Sequence, residues 1–336
     1  TQFGTQAQQA AWGPALASGE WLATMALTEP GAGSDLGRIR SKAEPTADGW
    51  RITGEKIFIS GGGQDMSAGI FHLVLARTGD AESGTKGLSL FACLSEEVAG
   101  RLSVTRIEEK MGLHASPTCQ LSFDEAPAHL IGSVGGGLQG MFAMMNHARI
   151  AVGLQGLAIS ERAYQQAVAY AADRVQGRAA GVEGRAAIIH HSDVKRMLMQ
   201  MRALTEGGRA MSYYAIAAED RSSHHPDEQV RSQNAQLVEL LTPLVKGWCT
   251  EVSMESTSLG VQVHGGMGFI EETGAAQHMR DARILPIYEG TNGIQALDFI
   301  GRKCLRDGGQ AVQLLLADMQ ATVDQLASAH GSVVDL

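Results

Sequence analysis

The chain is poor in cysteine and has no CxxC pair: Cys93, Cys119, Cys249 and Cys304 stand alone among 336 residues. That excludes a disulfide framework and a thiolate zinc site, and makes a reducing cytoplasm the natural compartment. It lacks any apolar run of membrane-spanning length, and it opens TQFGTQAQQAAWG with no charged-then-apolar leader, so neither a span nor a secretory signal is expected. It does not begin with Met, as expected of a processed or trimmed piece of something longer. It has no basic excess: 27 Lys and Arg against 36 Asp and Glu give a net charge of −9, which argues against nucleic-acid binding. No HExxH or similar spacing accompanies the pairs His190–His191 and His224–His225, so they read as exposed helix-end histidines and no metal is expected.

What is present is a soluble globular composition, 44% hydrophobic and 19% charged, at a length that fits two domains. Residues 5–18 read as a helix closed by Ser18–Gly19. Short β-type runs follow at 21–27, 50–60, 70–76, 87–94, 101–107 and 118–123, punctuated by Gly, Asp, Ser and Pro as in an antiparallel sheet or barrel. In 50–60, Ile52, Lys56 and Phe58 share one parity, Ile57 and Ile59 the other. After the loop at 132–137 the period turns helical, with stripes through Phe142, Met145, Val152 and Leu157, then through Val194, Met197, Leu198, Met201 and Leu204 behind Ser192 as N-cap. Gly207–Gly208 would let that helix approach a neighbour closely. Leu237, Leu240, Leu241, Leu244, Val245 and Trp248 form another stripe, with a kink expected at Pro243, and 310–329 closes the chain as a helix.

Two stretches suggest chemistry. RDARILPIYEGTNGIQ, at 280–295, places Glu289 between an apolar lead-in and a Gly-containing turn. Partial desolvation there would raise its pKa and suit it to act as a general base, although such a Glu alone also reads as an ordinary turn. ALTEPGAGSD, at 26–35, follows a strand with two glycines and a proline, so its backbone can lie close to a planar or phosphorylated ligand. Its spacing is not GxGxxG and no βαβ unit surrounds it, which disfavours a Rossmann site. Phe58-Ile59-Ser60, ahead of three glycines, offers a flat ring and a hydroxyl.

ALTEPGAGSD, GEKIFIS, ADRVQGR, GVQVHGGMGF and RDARILPIYEGTNGIQ occur here in that order, and the chain from about Gly4 to Lys303 resembles the acyl-CoA dehydrogenases. The resemblance implies an α+β multidomain fold: a remnant of an N-terminal helical domain at 1–20, that domain being otherwise largely missing, an antiparallel β-barrel-type middle domain at 21–130, and a C-terminal α-helical bundle at 131–336. It implies FAD as cofactor. Met25, Leu27, Thr28, Gly33, Ser34, Phe58, Ile59 and Ser60 correspond to contacts of the flavin ring. Arg174, Gln176, Gln262, Gly265 and Gly266 correspond to contacts with the FAD of a neighbouring subunit, and Thr291 to a further FAD contact. Ser34, Asn146, Arg149 and Gly290 correspond to substrate contacts, the middle two on the CoA portion. Glu289 aligns with the catalytic base. Some relatives carry the base at the position of Ala148, which cannot serve here. Departures are Ser60 for the commoner Thr, Gly293 for Gln, and Asn146 where a carboxylate is frequent.

The implied reaction is α,β-dehydrogenation of an acyl-CoA thioester to the trans-2-enoyl-CoA, on 3-methylmercaptopropionyl-CoA or a similar short or medium acyl group of sulfur-compound metabolism. The alternative is a medium- or long-chain substrate of fatty-acid β-oxidation. A flavin oxidase or monooxygenase on the same fold is a less favoured reading, as is a nucleic-acid-binding relative of the fold, against which the −9 charge and the retained Glu289 both speak. The expected partners are an electron-transfer flavoprotein and further copies of the chain, as a homodimer or homotetramer sharing FAD across subunits.

Overall fold

The computed structural model describes residues 3–329, so the outer ends of the expected divisions, residues 1–2 and 330–336, lie outside it. The chain divides between Met145 and Asn146 into a β unit and a helical unit.

In the β unit, helix α1 (Gln6–Ser18) forms where a helix was expected. Thr5 caps it by accepting from the Gln8 N–H, Gln8 returns the bond to the Thr5 N–H, and Gly19 ends it in the left-handed region at φ 77°. This is a reciprocal capping box with a glycine stop, a pairing that supplies both helix ends locally. Seven strands follow: β1 (Trp21–Ala26), β2 (Lys42–Thr46), β3 (Gly49–Ser60), β4 (Gly69–Arg77), β5 (Leu88–Leu94), β6 (Leu102–Ile107) and β7 (Thr118–Ile131). The pairings β4–β2–β3–β7–β5–β4 close on themselves, with β1 added beside β4 and β6 beside β7. The barrel-type closure is present, and its pairing is mixed, because β1 runs parallel to β4 over six residue pairs. Strand β2 was not legible because KAEPT carries two charges and a proline. Strand β7 runs past 123, with Pro127 inside it. Ile52, Val74, Phe91, Leu121 and Phe123 are buried in the main core, and Leu75, Leu88, Leu90 and Met141 in a second.

The parity reading of 50–60 fails at one point. Between Lys56 and Ile59 the β3–β7 register shifts, and Phe58 has φ 61°. This irregularity sends Lys56 and Ile59 inward and leaves Phe58 61% exposed. An extra residue in one strand inverts the alternation beyond it.

His72, on β4, is buried, and among the described residues its ring has one hydrogen-bond partner, Thr24, Nδ1 to Oγ1 at 2.9 Å. Burial pushes its pKa down to about 4, so the folded chain holds it neutral while the unfolded chain still takes up a proton near pH 6.5. Stability is therefore fully present above pH 6.5 and lost as pH falls toward 4, by roughly 3 kcal/mol over that window from this group. Urea unfolding at steps between pH 7 and 4 should show this loss, and His72→Gln should remove it; equal pH slopes in the two proteins would exclude His72 as its source.

The helical unit consists of the continuation of α2 (Gly137–Asp173), then α3 (Ser192–His224), α4 (Glu228–His264), the short α5 (Gly266–Phe269), α6 (Ala275–Ala282), α7 (Asn292–Asp298), a π-helical segment at Phe299–Cys304, and α8 (Gln310–Ala329). The N-cap of α3 is His191, in extended backbone at ψ 137°, and Ser192 is the first helical residue, which corrects the expected cap by one position. Helix α4 runs unbroken through Pro243. A Cβ on Gly208 would lie 3.3 Å from the Trp248 ring and 3.5 Å from Cys249 Sγ, so the glycine of α3 does give α4 its close approach. On α2 the requirement is stricter. A Cβ on Gly153 would fall 2.5 Å from Val245 Cγ1, and one on Gly156 2.6 Å from the Cys249 carbonyl. Arg149, Gly153, Gly156 and Ser160 share one α2 face by their spacing. The same face that presses onto α4 therefore carries Arg149 to it. His224 is exposed at the end of α3 as expected, while His191 bonds the Gln176 carbonyl oxygen at 2.7 Å.

Candidate active site

Glu289 sits in the turn between α6 and α7. The turn is built from the sequence around it: the Asn292 N–H bonds the Pro286 carbonyl at 3.1 Å, and the Tyr288 N–H bonds Ile284 at 3.1 Å. Glu289 itself has φ 52°, a left-handed conformation that costs a residue with a Cβ about 1–3 kcal/mol and recurs at functional sites. Its successor Gly290 has φ 83°, and a Cβ there would lie 2.7 Å from Gln295 Nε2 and 3.4 Å from Arg149 Nη2. Only glycine fits position 290. Among the described residues the Glu289 backbone N–H has no acceptor.

The carboxylate is flanked by two buried cations. Burial raises the Glu289 pKa, and the charges of Arg149 and Lys246 oppose that rise. Arg149, on α2, pairs with Asp298 of α7 at 3.6 Å, each side chain 6% exposed. Asp298 also takes Arg302 Nε at 2.6 Å. Lys246, on α4, is fully buried and donates to Asn292 Oδ1 at 2.8 Å. Burial, with the Arg149 charge adding to it, pushes the Lys246 pKa down to about 8 against the pull of Glu289 and Glu251. Tyr288 donates its hydroxyl proton to Gln155 and is pushed up to about 12 by burial and by Glu289. Two buried polar atoms of the cluster, Arg149 Nε and Gln295 Oε1, have no partner among the described residues, and such groups are costly unless a ligand or water meets them. A desolvated carboxylate between fixed cations, with a free N–H and unmet polar atoms beside it, is equipped to take a proton from a bound polar substrate.

In the β unit, Thr28 and Phe58–Ser60 come together. The Ile57 N–H bonds the Thr28 carbonyl at 2.9 Å, tying the 26–35 loop to the irregular stretch of β3. The loop turns back through Pro30–Gly31, where Glu29 and Ala32 exchange N–H···O bonds of 3.0 Å each. Met25, Leu27 and Thr28 are half-buried, Gly33, Ser34 and Ser60 are exposed, and Ile59 is in the core. An outward aromatic ring on strained backbone, beside two hydroxyl-bearing positions, fits the face and edge of a planar heteroaromatic group. Of this set, Ile59 contributes packing and backbone.

The other expected residues lie in the helical unit. Arg174 and Gln176 are exposed on a loop closed by a bridge between Val175 and Ala187. Gln262, Gly265 and Gly266 are exposed where α4 ends, and Gly265 has φ 61° and ψ −140°, a region open to glycine. Thr291 begins α7 without a side-chain capping bond and is exposed. Asn146 and Arg149 part company: Asn146 is exposed, whereas Arg149 is buried against Gly290 and Asp298. Sequence reading missed Lys246, Asp298, Gln295 and Asn292. The signal available was a lone charge inside an apolar stretch, at LLTPLVKGW and ALDFIG.

The β unit and the helical unit, each by itself, have the folds of the middle and C-terminal domains of acyl-CoA dehydrogenases. Family models agree: the acyl-CoA dehydrogenase middle domain matches residues 24–126 and the acyl-CoA dehydrogenase C-terminal domain matches residues 135–305. The chain belongs to the acyl-CoA dehydrogenase family, whose members are FAD-dependent flavoproteins. It is 51% identical to the 3-methylmercaptopropionyl-CoA dehydrogenase of Ruegeria pomeroyi, over 96% of this chain and 57% of that protein. Among solved structures it resembles the butyryl-CoA dehydrogenase of Megasphaera elsdenii, with 30% identity, a TM-score of 0.76, and coverage of 89% of this chain and 72% of that one. It also resembles a chain of a structure described as the electron transferring flavoprotein of Acidaminococcus fermentans, with 29% identity, a TM-score of 0.77, and coverage of 91% and 74%. The chain spans a little over half the length of the first curated relatives it matches. Among the described residues no helix is long and apolar enough to cross a membrane.

Proposed function

We propose that the protein dehydrogenates an acyl-CoA thioester between its α and β carbons, with Glu289 as the base. The observation that carries this reading is the state of Glu289: a carboxyl whose pKa burial raises, on strained backbone, with a free N–H of its own. The N–H, having no acceptor of its own among the described residues, is free to donate to the thioester carbonyl and so acidify the α-C–H, and the carboxylate takes the proton. The thioester carbonyl oxygen is an acceptor of the kind that the Arg149 Nε–H leaves unmet. FAD, when bound, supplies the acceptor for the β-hydride. Thr28, Phe58 and Ser60 would hold its ring; Arg174, Gln176, Gln262, Gly265, Gly266 and Thr291 would contact an FAD shared between subunits of a homo-oligomer. The likeness to the Ruegeria protein supports 3-methylmercaptopropionyl-CoA as substrate, and the likeness to the Acidaminococcus structure supports an electron-transfer flavoprotein as electron acceptor.

Anaerobic flavin absorbance of the FAD-loaded protein, titrated with 3-methylmercaptopropionyl-CoA and with octanoyl-CoA, tests this. The expected result is bleaching by the thioether substrate at lower concentration and at higher rate. Preference for octanoyl-CoA would move the protein to fatty-acid β-oxidation and keep Glu289 in place, since a methylene or thioether is worth only about 1–3 kcal/mol of discrimination. Bound flavin bleached by neither would end the dehydrogenase reading.

A further inference from the structure

Lys246 is a costly residue where it stands. Its ammonium is fully buried, and a buried cation is kept only where paired groups offset the loss of water. Its Nζ has a single hydrogen-bond partner among the described residues, Asn292 Oδ1, so two of its three protons have none. The rest of its helix face is satisfied internally: Thr250 Oγ1 bonds the Lys246 carbonyl at 2.8 Å, Ser253 Oγ bonds Thr250 at 2.6 Å, and Thr257 Oγ1 bonds Ser253 at 2.7 Å. Nothing in that face calls for a charge.

The partner explains more. Asn292 donates its side-chain N–H to Glu251 Oε1 at 2.7 Å and to Thr250 Oγ1 at 3.0 Å, and its backbone N–H to Pro286. One asparagine thus joins α4 to both ends of the turn that presents Glu289. The charges that face Lys246 are Arg149 from α2, Glu289 from the turn and Glu251 from α4 itself. Arg149 in turn faces Asp298, Arg302 and Glu289. Asp298 pairs with Arg149 and Arg302 and Glu251 is engaged by Asn292, so Glu289 is the carboxylate left for the Lys246 charge.

We propose that Lys246 is a positioning residue for Glu289: it ties the 286–292 turn to α4 through Asn292 and, with Arg149, supplies the positive field in which the carboxylate ionises. The inference rests on Glu289 being the base. Without such a field a buried glutamate stays protonated well above its ordinary range and cannot accept the α-proton at neutral pH. Two cations hold it ionised while its surroundings stay dry, and the lysine remains protonated at pH 7, below its own value of about 8.

The test uses the FAD-loaded protein with Lys246→Met, which keeps the aliphatic stem, and Lys246→Arg, which keeps the charge. Infrared difference spectra taken across pH without substrate, with Glu289→Gln subtracted, read the Glu289 carboxyl alone; stopped-flow flavin reduction is followed in parallel. In K246M the Glu289 midpoint should rise by about 1 pH unit or more. Reduction near pH 6 should slow about tenfold and approach wild type near pH 9, with flavin content unchanged. K246R should bring the midpoint back toward wild type. An unmoved midpoint in folded, flavin-loaded K246M overturns the proposal. If K246M does not fold, Asn292→Ala cuts the tie while leaving the lysine. Faster hydrogen exchange of the 286–292 amides with a moved midpoint supports the proposal, and no change in either overturns it. Should Glu289→Gln itself reduce flavin at the wild-type rate, the catalytic reading fails, while the infrared midpoint still reports whether Lys246 governs that carboxyl.

Discussion

Glu289→Gln should leave folding and flavin content intact and slow substrate-dependent flavin bleaching by roughly a hundred- to ten-thousand-fold, the range associated with losing a general base. The substitution changes little but the proton chemistry. Glutamine matches the carboxyl in shape, can tolerate the same φ of 52°, and leaves the backbone N–H and the Gly290 turn as they are. What it cannot do is accept a proton. The wild-type rate should rise with pH as Glu289 ionises, because the base must be charged to act. Burial moves that midpoint up from the ordinary carboxylate range, and Arg149 and Lys246 limit the rise. Stopped-flow absorbance at a saturating thioester concentration, across pH, checks both statements. Unchanged reduction in the glutamine variant, or a pH profile that survives the substitution, would remove Glu289 from the mechanism.

The surroundings of Glu289 were legible because they are local. An acid between Ile284–Tyr288 and Gly290 is desolvated on one side and turned on the other by its own neighbours, and the loop at 26–35 announces its turn through Pro30–Gly31. Strands β1, β3, β4, β5 and β6 were legible for the same reason, since Gly, Asp, Ser and Pro punctuate the β-branched and apolar runs. What was not legible depends on partners distant in sequence. Lys246 reads as an interruption of an apolar stripe until Gly153 and Gly156 of α2 bring Arg149 to the same place. Arg149 reads as a surface contact for CoA beside Asn146, and only helix packing shows the two facing different surroundings. The inversion at Phe58 is set by a register shift against β7, to which period-two parity is blind. The α3 cap fell one residue away from Ser192 because His191, not the serine, has the extended backbone of a cap.

The largest expected loss of stability lies in the β unit. Lys56, on β3, is fully buried and spends all three protons: on Glu29 Oε1 at 2.8 Å, the Leu27 carbonyl at 2.9 Å and the Leu75 carbonyl at 2.7 Å. Glu29 in turn accepts the backbone N–H groups of Arg40 at 2.6 Å and Ser41 at 3.0 Å. Burial works against the Glu29 carboxylate, but Lys56 and these donors outweigh it and hold its pKa below the ordinary value. Lys56→Met keeps the stem and removes the cation, leaving a buried carboxylate and two carbonyls without their donor. Removing one partner of a buried pair costs about 3–5 kcal/mol, and urea unfolding should show a loss of that size. Glu29→Gln in the same background should recover part of it and no more, because the orphaned charge is then gone while the single amide oxygen of glutamine replaces only one of the two oxygens that accept from the Arg40 and Ser41 N–H groups. A loss below about 1 kcal/mol in K56M would mean that the pair contributes little to stability. The consequence for the site follows from the anchors. Lys56 holds the carbonyl of Leu27, next to Thr28, and stands two residues before Phe58, so the variant that still folds should bind FAD more weakly even though neither Lys56 nor Glu29 is among the residues assigned to the flavin.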